Sequence, residues 1–384
     1  MKLIFTGDVC FHYQDIDREQ SKKILSEIKP YFDSDLLVMN FETPVAPKGL
    51  GAPIKKSDPA LISRPECIGF LEEAGCKLAV LANNHTGDYG PDALNFTLDT
   101  LDAHGIAHIG AGQNIDEAYS AFRFEKDGIS VSIIAVCENE FGIAERDKAG
   151  SAGYDPELIA DKISEEKQIS DRVIVVFHGG CEHNPLPSPG ARARYRSLIR
   201  FGADAVIAGH PHCIEGYEYF MDCPIVYSTG NFMFPHTSAC GESWYFGYMA
   251  ELCIGDRLTI RPIPYRVQKD GGAIHPLTGS ELEKMLTYIE KLSLIIPDTD
   301  ELKRLYEGWC HISGLQYVKS LVAKPEYFEN PDVSADNQHL KNLLSCEAHR
   351  ELMRGILDLA FFGKLGEAAL IAEEIKELQK MPID

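Results

Sequence analysis

The segment VIVVF at residues 173–177 is a short run of β-branched and aromatic residues, followed at once by His178 and two glycines. Such a run is typical of a strand buried in an α/β sheet. Runs of the same character lie at residues 3–6, 36–40, 78–81, 130–136 and 205–207. Helix-length segments separate several of these runs, at residues 18–32, 65–74, 91–104 and 191–201. The alternation predicts an α/β domain with buried strands and helices on both faces.

The later part of the chain changes character twice. Residues 248–254 and 257–267 are adjacent strand-like runs joined by a two-residue turn, which predicts a β-hairpin. Helical periodicity follows, at residues 280–293, 299–322 and 337–380. A segment rich in proline, asparagine and aspartate, residues 325–336, separates the last two. We therefore predict an α/β domain over residues 1–268 and a helical C-terminal region over residues 269–384.

Charge and composition exclude several classes of protein. The 384 residues include 37 Lys and Arg against 58 Asp and Glu, a formal net charge of −21. This balance argues against nucleic acid as a partner and against a polybasic membrane surface. The first apolar run is too short for a signal or a membrane span, so we expect a cytoplasmic protein without an integral membrane segment. Eleven scattered cysteines without a CxxC pair indicate reduced thiols.

Polar side chains follow the predicted strands where each strand ends. Because the carboxyl ends of strands in an open α/β sheet share one edge, these side chains are expected to line one crevice. They are Asp8, Asn40, Glu42, Asn83, Asn84, His85, His178, His210 and His212.

Six of these residues form a candidate metal-ligand set of oxygen and imidazole donors: Asp8, Glu42, Asn84, His178, His210 and His212. Such donors suit two divalent cations of the Mn, Fe or Zn type that share a bridging carboxylate. A pair of this kind supplies hydroxide near neutral pH and stabilises the oxygens of a displacement reaction. Taken singly, Asp8 and Asn84 could be turn residues and His178 a core histidine. The occurrence of all six residues at predicted strand ends favours the metal site over these alternatives.

Other polar residues are candidates for catalysis or for an anionic small-molecule or polymer substrate. Asp88 could orient the imidazole of His85, or cap the helix that follows. Glu182 could support a metal ligand or act as a general base, or it could be a solvated loop carboxylate. Arg192, in a cluster of four arginines, could bind a carboxylate or phosphate, with a solvated helix face as the alternative. Asn40 and Asn83 complete the candidate substrate contacts.

Spaced sequence blocks resemble those of CapA-type capsule-synthesis proteins, which are associated with poly-gamma-glutamate biosynthesis. The blocks are NFETP (40–44), ANNHTGDYG (82–90), HGGCE (178–182), GHPH (209–212) and STGNF (228–232). The resemblance covers about residues 1–265. That family is similar in turn to the calcineurin-like metallophosphatases, which implies a four-layer α/β/β/α sandwich and a two-metal site.

The resemblance also implies a role for each candidate ligand. Asp8 and His212 would bind the first metal, and Asn84, His178 and His210 the second. Glu42 would bridge the two, where the superfamily has an aspartate. His85 would be the acid or the anion-stabilising histidine, and Cys10 stands where the superfamily usually has a histidine.

Two hypotheses follow. The first is a metal-dependent hydrolase acting on a phosphoester or another polarised acyl or phosphoryl centre. The second is a non-catalytic component of polymer synthesis that binds metal or a polyanion, which the substitution at Cys10 favours. A scaffold without metal is a third alternative. The oligomeric state is left open.

Overall fold

Two β-sheets lie face to face in the computed structural model, which describes residues 1–12, 16–56, 59–234, 241–320 and 338–383. The strands are β1 (Lys2–Val9), β2 (Leu36–Phe41), β3 (Leu78–Val80), β4 (Ala107–Ile109), β5 (Ala111–Gly112), β6 (Phe122–Lys126), β7 (Ile129–Cys137), β8 (Gly150–Ser151), β9 (Arg172–His178), β10 (Ala205–Gly209), β11 (Tyr217–Phe220), β12 (Cys223–Val226), β13 (Asn231–Met233), β14 (Phe246–Ile254), β15 (Leu258–Val267) and β16 (Ile274–Pro276).

The larger sheet has the strand order β16-β15-β14-β1-β2-β3-β4, with β13 also paired to β1. Its strands β1 to β4 are parallel, and the predicted hairpin is confirmed as β14 and β15. The smaller sheet has the order β11-β12-β10-β9-β7-β6, and its four central strands are parallel. Strands β5 and β8 form a separate pair.

Helices cover the outer faces of both sheets and form the C-terminal region. They are α1 (Arg18–Leu25), α2 (Ile68–Ala74), α3 (Gly90–Ala103), α4 (Ile115–Ala118), α5 (Pro156–Lys167), α6 (Pro189–Phe201), α7 (Gly279–Ile295), α8 (Thr299–Ser320), α9 (Gln338–Ser345), α10 (Glu347–Phe361) and α11 (Leu365–Leu378). In the segments that the structure describes, no helix combines the length and the apolar character that crossing a bilayer requires.

The core confirms the expected four layers, helix–sheet–sheet–helix. Phe5 and Val38 of the larger sheet and Val176 and Ile207 of the smaller one line the same narrow gap between the sheets. Side chains alternate along a strand, so neighbours such as Ile4 point to the other face and pack in a second cluster with α1, α2 and α3. Helices α5 and α6 cover the outer face of the smaller sheet.

The C-terminal helices are confirmed, and α7 (Gly279–Ile295) matches the predicted helix over residues 280–293. Strand β16, which the sequence did not predict, extends the larger sheet past residue 268. The predicted helix over residues 18–32 is wrong in its second half. It ends at Leu25, and Lys29–Phe32 is a 3-10 turn, since Pro30 cannot donate a helical hydrogen bond. The predicted link over residues 325–336 lies outside the described residues.

Glu166 of α5 ties that helix to the smaller sheet, and it gives a testable pH dependence. Its buried carboxylate accepts hydrogen bonds from Arg123 at 2.8 Å and Ser132 at 2.7 Å and pairs with Lys162 at 2.9 Å. Burial alone would raise the pKa of Glu166, but these partners outweigh that effect and lower the pKa to about 2. The stability that they contribute is therefore present above the unfolded pKa and is lost as the pH falls towards 2.

We expect Glu166→Gln to lower the free energy of unfolding at pH 6. The deficit should shrink between about pH 4.5 and pH 3, by at most about 1.4 kcal/mol per pH unit. Urea unfolding at a series of pH values measures it. Glu165→Gln, on the exposed face of the same helix, is the control. A deficit that does not change with pH would contradict this role.

Candidate metal centre

All six predicted metal ligands lie together at the carboxyl ends of the central strands. Register explains the convergence: Asp8 of β1 is level with Asn40 of β2, and Gly209 of β10 is level with His178 of β9. Because the two sheets face each other, their strand ends meet at one edge of the sandwich. The ligands are at most 5% exposed: Asp8, Glu42, Asn84, His178, His210 and His212.

The donor atoms form two triads that share one carboxylate. Asp8, Glu42 and His212 make the first triad, and Glu42, His178 and His210 make the second, with the donor atoms of each within 4.8 Å of one another. Glu42 Oε1 lies 3.4 Å from His178 Nε2 and 3.9 Å from His212 Nε2. This geometry matches a pair of sites bridged by Glu42.

Further contacts complete the two triads. In the first, His212 Nδ1 lies 3.5 Å from Asp8 Oδ2. In the second, His178 Nε2 is 3.1 Å from both His210 Nδ1 and Asn84 Oδ1. Asn84 thus adds an amide oxygen to the second triad, as the resemblance implies.

Glu42 tests whether these residues fit cations. Both of its carboxylate oxygens are buried, with no hydrogen-bond partner among the described residues. Burial, followed by the charge of Asp8, raises the pKa of Glu42 well above its usual value. An unpaired buried carboxylate is costly, and a divalent cation on each side would remove that cost. Imidazole and carboxylate donors also suit such cations, so the residues fit the two-metal site.

The charges of the histidines differ between the triads. Burial lowers the pKa of His178 to about 4 and also lowers that of His210. Burial acts in the same direction on His212, but Glu42 and Asp8 outweigh it and raise the pKa of His212 to about 10. Neutral imidazoles at His178 and His210 are the form that binds a metal.

Neighbouring asparagines and a strained backbone hold the ligands. Asn40 Nδ2 donates to Asp8 Oδ1 at 2.6 Å and lies 3.2 Å from His178 Nδ1. His212 Nδ1 is 2.9 Å from Asn231 Oδ1, a contact that fixes the orientation of the ring. His210 and His212 have positive φ angles, 104° and 54°. Strain of this kind, about 1–3 kcal/mol per residue, is concentrated at functional sites.

A second group of side chains surrounds His85 beside the triads. His85 Nδ1 is 2.6 Å from Asp88 Oδ2, and Lys56 Nζ donates to Asp88 Oδ1 at 2.8 Å. Asp88 therefore orients the imidazole, and the alternative of a helix cap is not what forms, since α3 has no side-chain cap. Burial and the charge of Lys56 lower the pKa of His85 to about 4. Lys56 was not predicted, because nothing in its loop distinguishes it from a surface lysine.

Three other residues singled out in the sequence, Asn83, Glu182 and Cys10, lie outside the two triads. Asn83 holds the loop that carries His85: its Oδ1 accepts from the backbone N–H of His85 at 3.1 Å, and its Nδ2 donates to the carbonyl of Phe41 at 3.0 Å. Glu182 is exposed on the loop after β9 and lines a cavity beside His210. Cys10 is buried and belongs to neither triad.

The structure does not bring Arg192 to the cluster. Its guanidinium donates to the carbonyl of Ile296 at 2.7 Å and to Thr299 Oγ1 at 3.2 Å. Arg192 is 7% exposed, so it serves as a buried connection between α6 and the α7–α8 junction. The spacing of the arginines along α6 could not predict that Arg192 is buried, because the residues that cover it lie about a hundred positions later in the chain.

Relatives with capsule-related names match the same part of the chain. The chain is 27% identical over 246 residues to the capsule biosynthesis protein CapA of Bacillus anthracis, covering 61% of this chain and 60% of that protein. It is 29% identical over 239 residues to the PGA biosynthesis protein CapA of Bacillus subtilis, covering 60% of this chain and 62% of that protein. The chain thus spans about three fifths of the length of these relatives.

Among solved structures, a novel phosphatase from Mycoplasma pneumoniae aligns at 15% identity with a TM-score of 0.40, covering 71% of this chain and 90% of that one. The family model described as "Bacterial capsule synthesis protein PGA_cap" matches residues 2–236, well over half of the chain. That match spans the five residues of the two triads and Asn84. The chain belongs to the bacterial capsule synthesis protein PGA_cap family.

Proposed function

We propose that this protein is a metal-dependent hydrolase of capsule polymer synthesis, acting on a phosphoester or another polarised acyl or phosphoryl centre. The observation that carries the proposal is the pair of triads sharing Glu42, whose buried oxygens have no hydrogen-bond partner among the described residues. Two divalent cations, of Mn, Fe or Zn, would polarise the reacting centre and supply hydroxide at neutral pH.

Electrostatics favour an anionic substrate at this edge of the fold. Two divalent cations would outweigh the negative charges of Asp8 and Glu42, and a net charge of about +2 would remain. The lowered pKa values of His178 and His210 keep these rings neutral. The chain as a whole is acidic, so a local positive charge would attract a phosphate or a polycarboxylate specifically to the centre. Poly-gamma-glutamate, which the names of the relatives suggest, belongs to this chemical class.

His85 is the proposed acid or charge-stabilising residue. Asp88 and Lys56 occupy its Nδ1 side, which leaves Nε2 for the substrate. Without substrate the imidazole is neutral at pH 7, because its pKa is about 4. A dianionic substrate next to Nε2 would favour the protonated ring, so that the histidine gains its proton as the substrate binds.

The C-terminal helices contribute to the proposed substrate site. A cavity of about 110 Å³ adjoins His210, with Glu182 and His183 on one side and Trp309 and Tyr317 of α8 on the other. A substrate that reached the second triad from this cavity would contact both regions of the chain. Specificity is therefore expected to depend on residues beyond the part that the family model matches.

Non-catalytic metal or polyanion binding is the second candidate, and Cys10 favours it. The thiol is fully buried and its Sγ accepts a hydrogen bond from the His12 backbone at 3.5 Å, so it leaves the first triad with three ligands. A weakly held first cation would permit ligand binding without turnover.

Turnover of a generic aryl phosphate or a gamma-glutamyl substrate distinguishes the two candidates. Metal-stripped protein is expected to be inactive and to recover activity on addition of Mn²⁺ or Zn²⁺. Metal binding without turnover of either substrate would favour the non-catalytic component. Protein that binds less than a few tenths of an equivalent of metal after supplementation would reject the hydrolase and favour the scaffold without metal.

A further inference from the structure

A third cluster of metal-binding side chains lies between the two regions of the chain. Glu140, in the turn after β7, and Cys346 and His349, at the start of α10, place their donor atoms within 4.8 Å of one another. Cys346 directly precedes α10 and His349 follows three residues later, so both side chains lie on one face of the first helical turn. None of these three residues belongs to the triads around Glu42.

The carboxylate of Glu140 is held between this cluster and the second triad. Its Oε2 accepts a hydrogen bond from Asn84 Nδ2 at 3.0 Å, and its Oε1 lies 3.6 Å from His349 Nε2. The side chain of Glu140 is 4% exposed and Cys346 is fully buried. The other ring nitrogen of His349, Nδ1, is buried without a hydrogen-bond partner among the described residues.

Among the described residues, Glu140 lacks the cationic partner that its neighbours have. The surrounding carboxylates pair with arginines: Glu138 and Glu351 with Arg194, and Glu347 with Arg350 at 3.7 Å. Within the described segments, Glu140 has the Asn84 amide and the His349 ring near its oxygens, but no lysine or arginine at ion-pair distance. A buried carboxylate in this position favours a cation.

We propose that Glu140, Cys346 and His349 bind a single zinc-like divalent cation, a third site distinct from the two bridged by Glu42. A thiolate, an imidazole and a carboxylate are typical zinc ligands, and bond lengths of about 2.0–2.3 Å place tetrahedral ligand atoms about 3.3–3.8 Å apart. The 3.6 Å separation of Glu140 and His349 already lies in that range. Solvent or a nearby donor would supply the fourth ligand.

This cation would fasten α10 to the turn after β7. The same turn already contacts the helix through Asn139, whose backbone N–H and side chain donate to Glu347 at 3.1 Å and 3.0 Å. Because Glu140 also accepts from Asn84, the cation would couple the position of the C-terminal helices to a ligand of the second triad.

Cobalt titration of the metal-stripped full-length chain tests the third site. The ligands of the two triads include no thiolate, so a thiolate-to-Co²⁺ charge-transfer band in the near ultraviolet reports on a cysteine ligand. The wild type is expected to bind about three equivalents and to show this band. Cys346→Ser should lose the band and about one equivalent. Cys310→Ser, a buried thiol of the same helical region outside the cluster, should retain both.

His349→Gln keeps the test decisive if Cys346→Ser folds poorly, since His349 is partly exposed and the substitution is conservative. It should weaken Co²⁺ binding at this site at least about tenfold while two equivalents remain. Two equivalents without a thiolate band in the wild type, or a band that persists in Cys346→Ser, would overturn the inference. A thiolate band without phosphatase or gamma-glutamyl hydrolase activity would instead reject the proposed hydrolase and leave this site in place.

Discussion

Glu42→Gln is expected to abolish binding of both cations at the bridged centre and to lower kcat/KM at least about a hundredfold. Glu42 is the only residue among those described that belongs to both triads, so its loss removes a ligand from each site. Stabilisation of transition-state charge by bound metals is worth several kcal/mol, and each 1.4 kcal/mol is a factor of ten. Metal content by mass spectrometry and steady-state kinetics measure the two effects.

In metal-free protein, Glu42→Gln is expected to raise the free energy of unfolding at neutral pH. Burial raises the pKa of Glu42, so the ionised carboxylate destabilises the folded state at neutral pH, and an amide removes that cost. Glu215→Gln is a matched control: Glu215 is also buried, has a raised pKa and an Oε1 without a hydrogen-bond partner in the described part of the chain, but lies outside both triads. It should leave metal content unchanged. Full metal content in Glu42→Gln would contradict the bridging role.

His85→Asn is expected to lower kcat by about 10²–10⁴ while both cations remain bound. The imidazole is no member of either triad, and positioned proton transfer contributes this much to a rate. Asp88→Asn should have a smaller effect, about tenfold to a hundredfold, since it alters the orientation of the ring and leaves the imidazole in place. Single-turnover rates and metal content, measured on the same preparations, separate the two contributions.

The outcome of this comparison assigns His85. Full activity in His85→Asn with metal retained would reject its catalytic role. Loss of a cation would show that His85 is a ligand. An equal loss in Asp88→Asn and His85→Asn would place the essential charge on Asp88 instead.

The convergence of the candidate ligands could be predicted because it follows from a general property of parallel sheets. Asp8, Glu42 and His178 come directly after or at the end of apolar strands, and such ends meet at one edge whatever the loops do. The alternation of strands and helices predicted an α/β domain with helices on both faces, whereas the four layers were implied by the resemblance to the metallophosphatases.

Residues whose positions depend on distant packing could not be predicted. Lys56 and Glu140 reach the centre from loops without a periodic pattern, and Glu140 meets residues some two hundred positions later. Asn231 contacts His212 because β13 pairs with β1 and places it at the site, a pairing that the sequence did not predict. The buried position of Arg192 differs from both interpretations of the sequence, because the covering junction at residues 296–299 carries no sequence signal for docking on α6.

Anomalous diffraction from crystals of the Mn²⁺-loaded protein tests the bridged pair most directly. The geometry predicts two peaks, one on each side of the Glu42 carboxylate and about 3.5–4 Å apart, with the first peak near Asp8 and the second near His178. A single peak remote from Glu42, or none in the presence of saturating Mn²⁺, would contradict the two-cation centre and with it the proposed hydrolase.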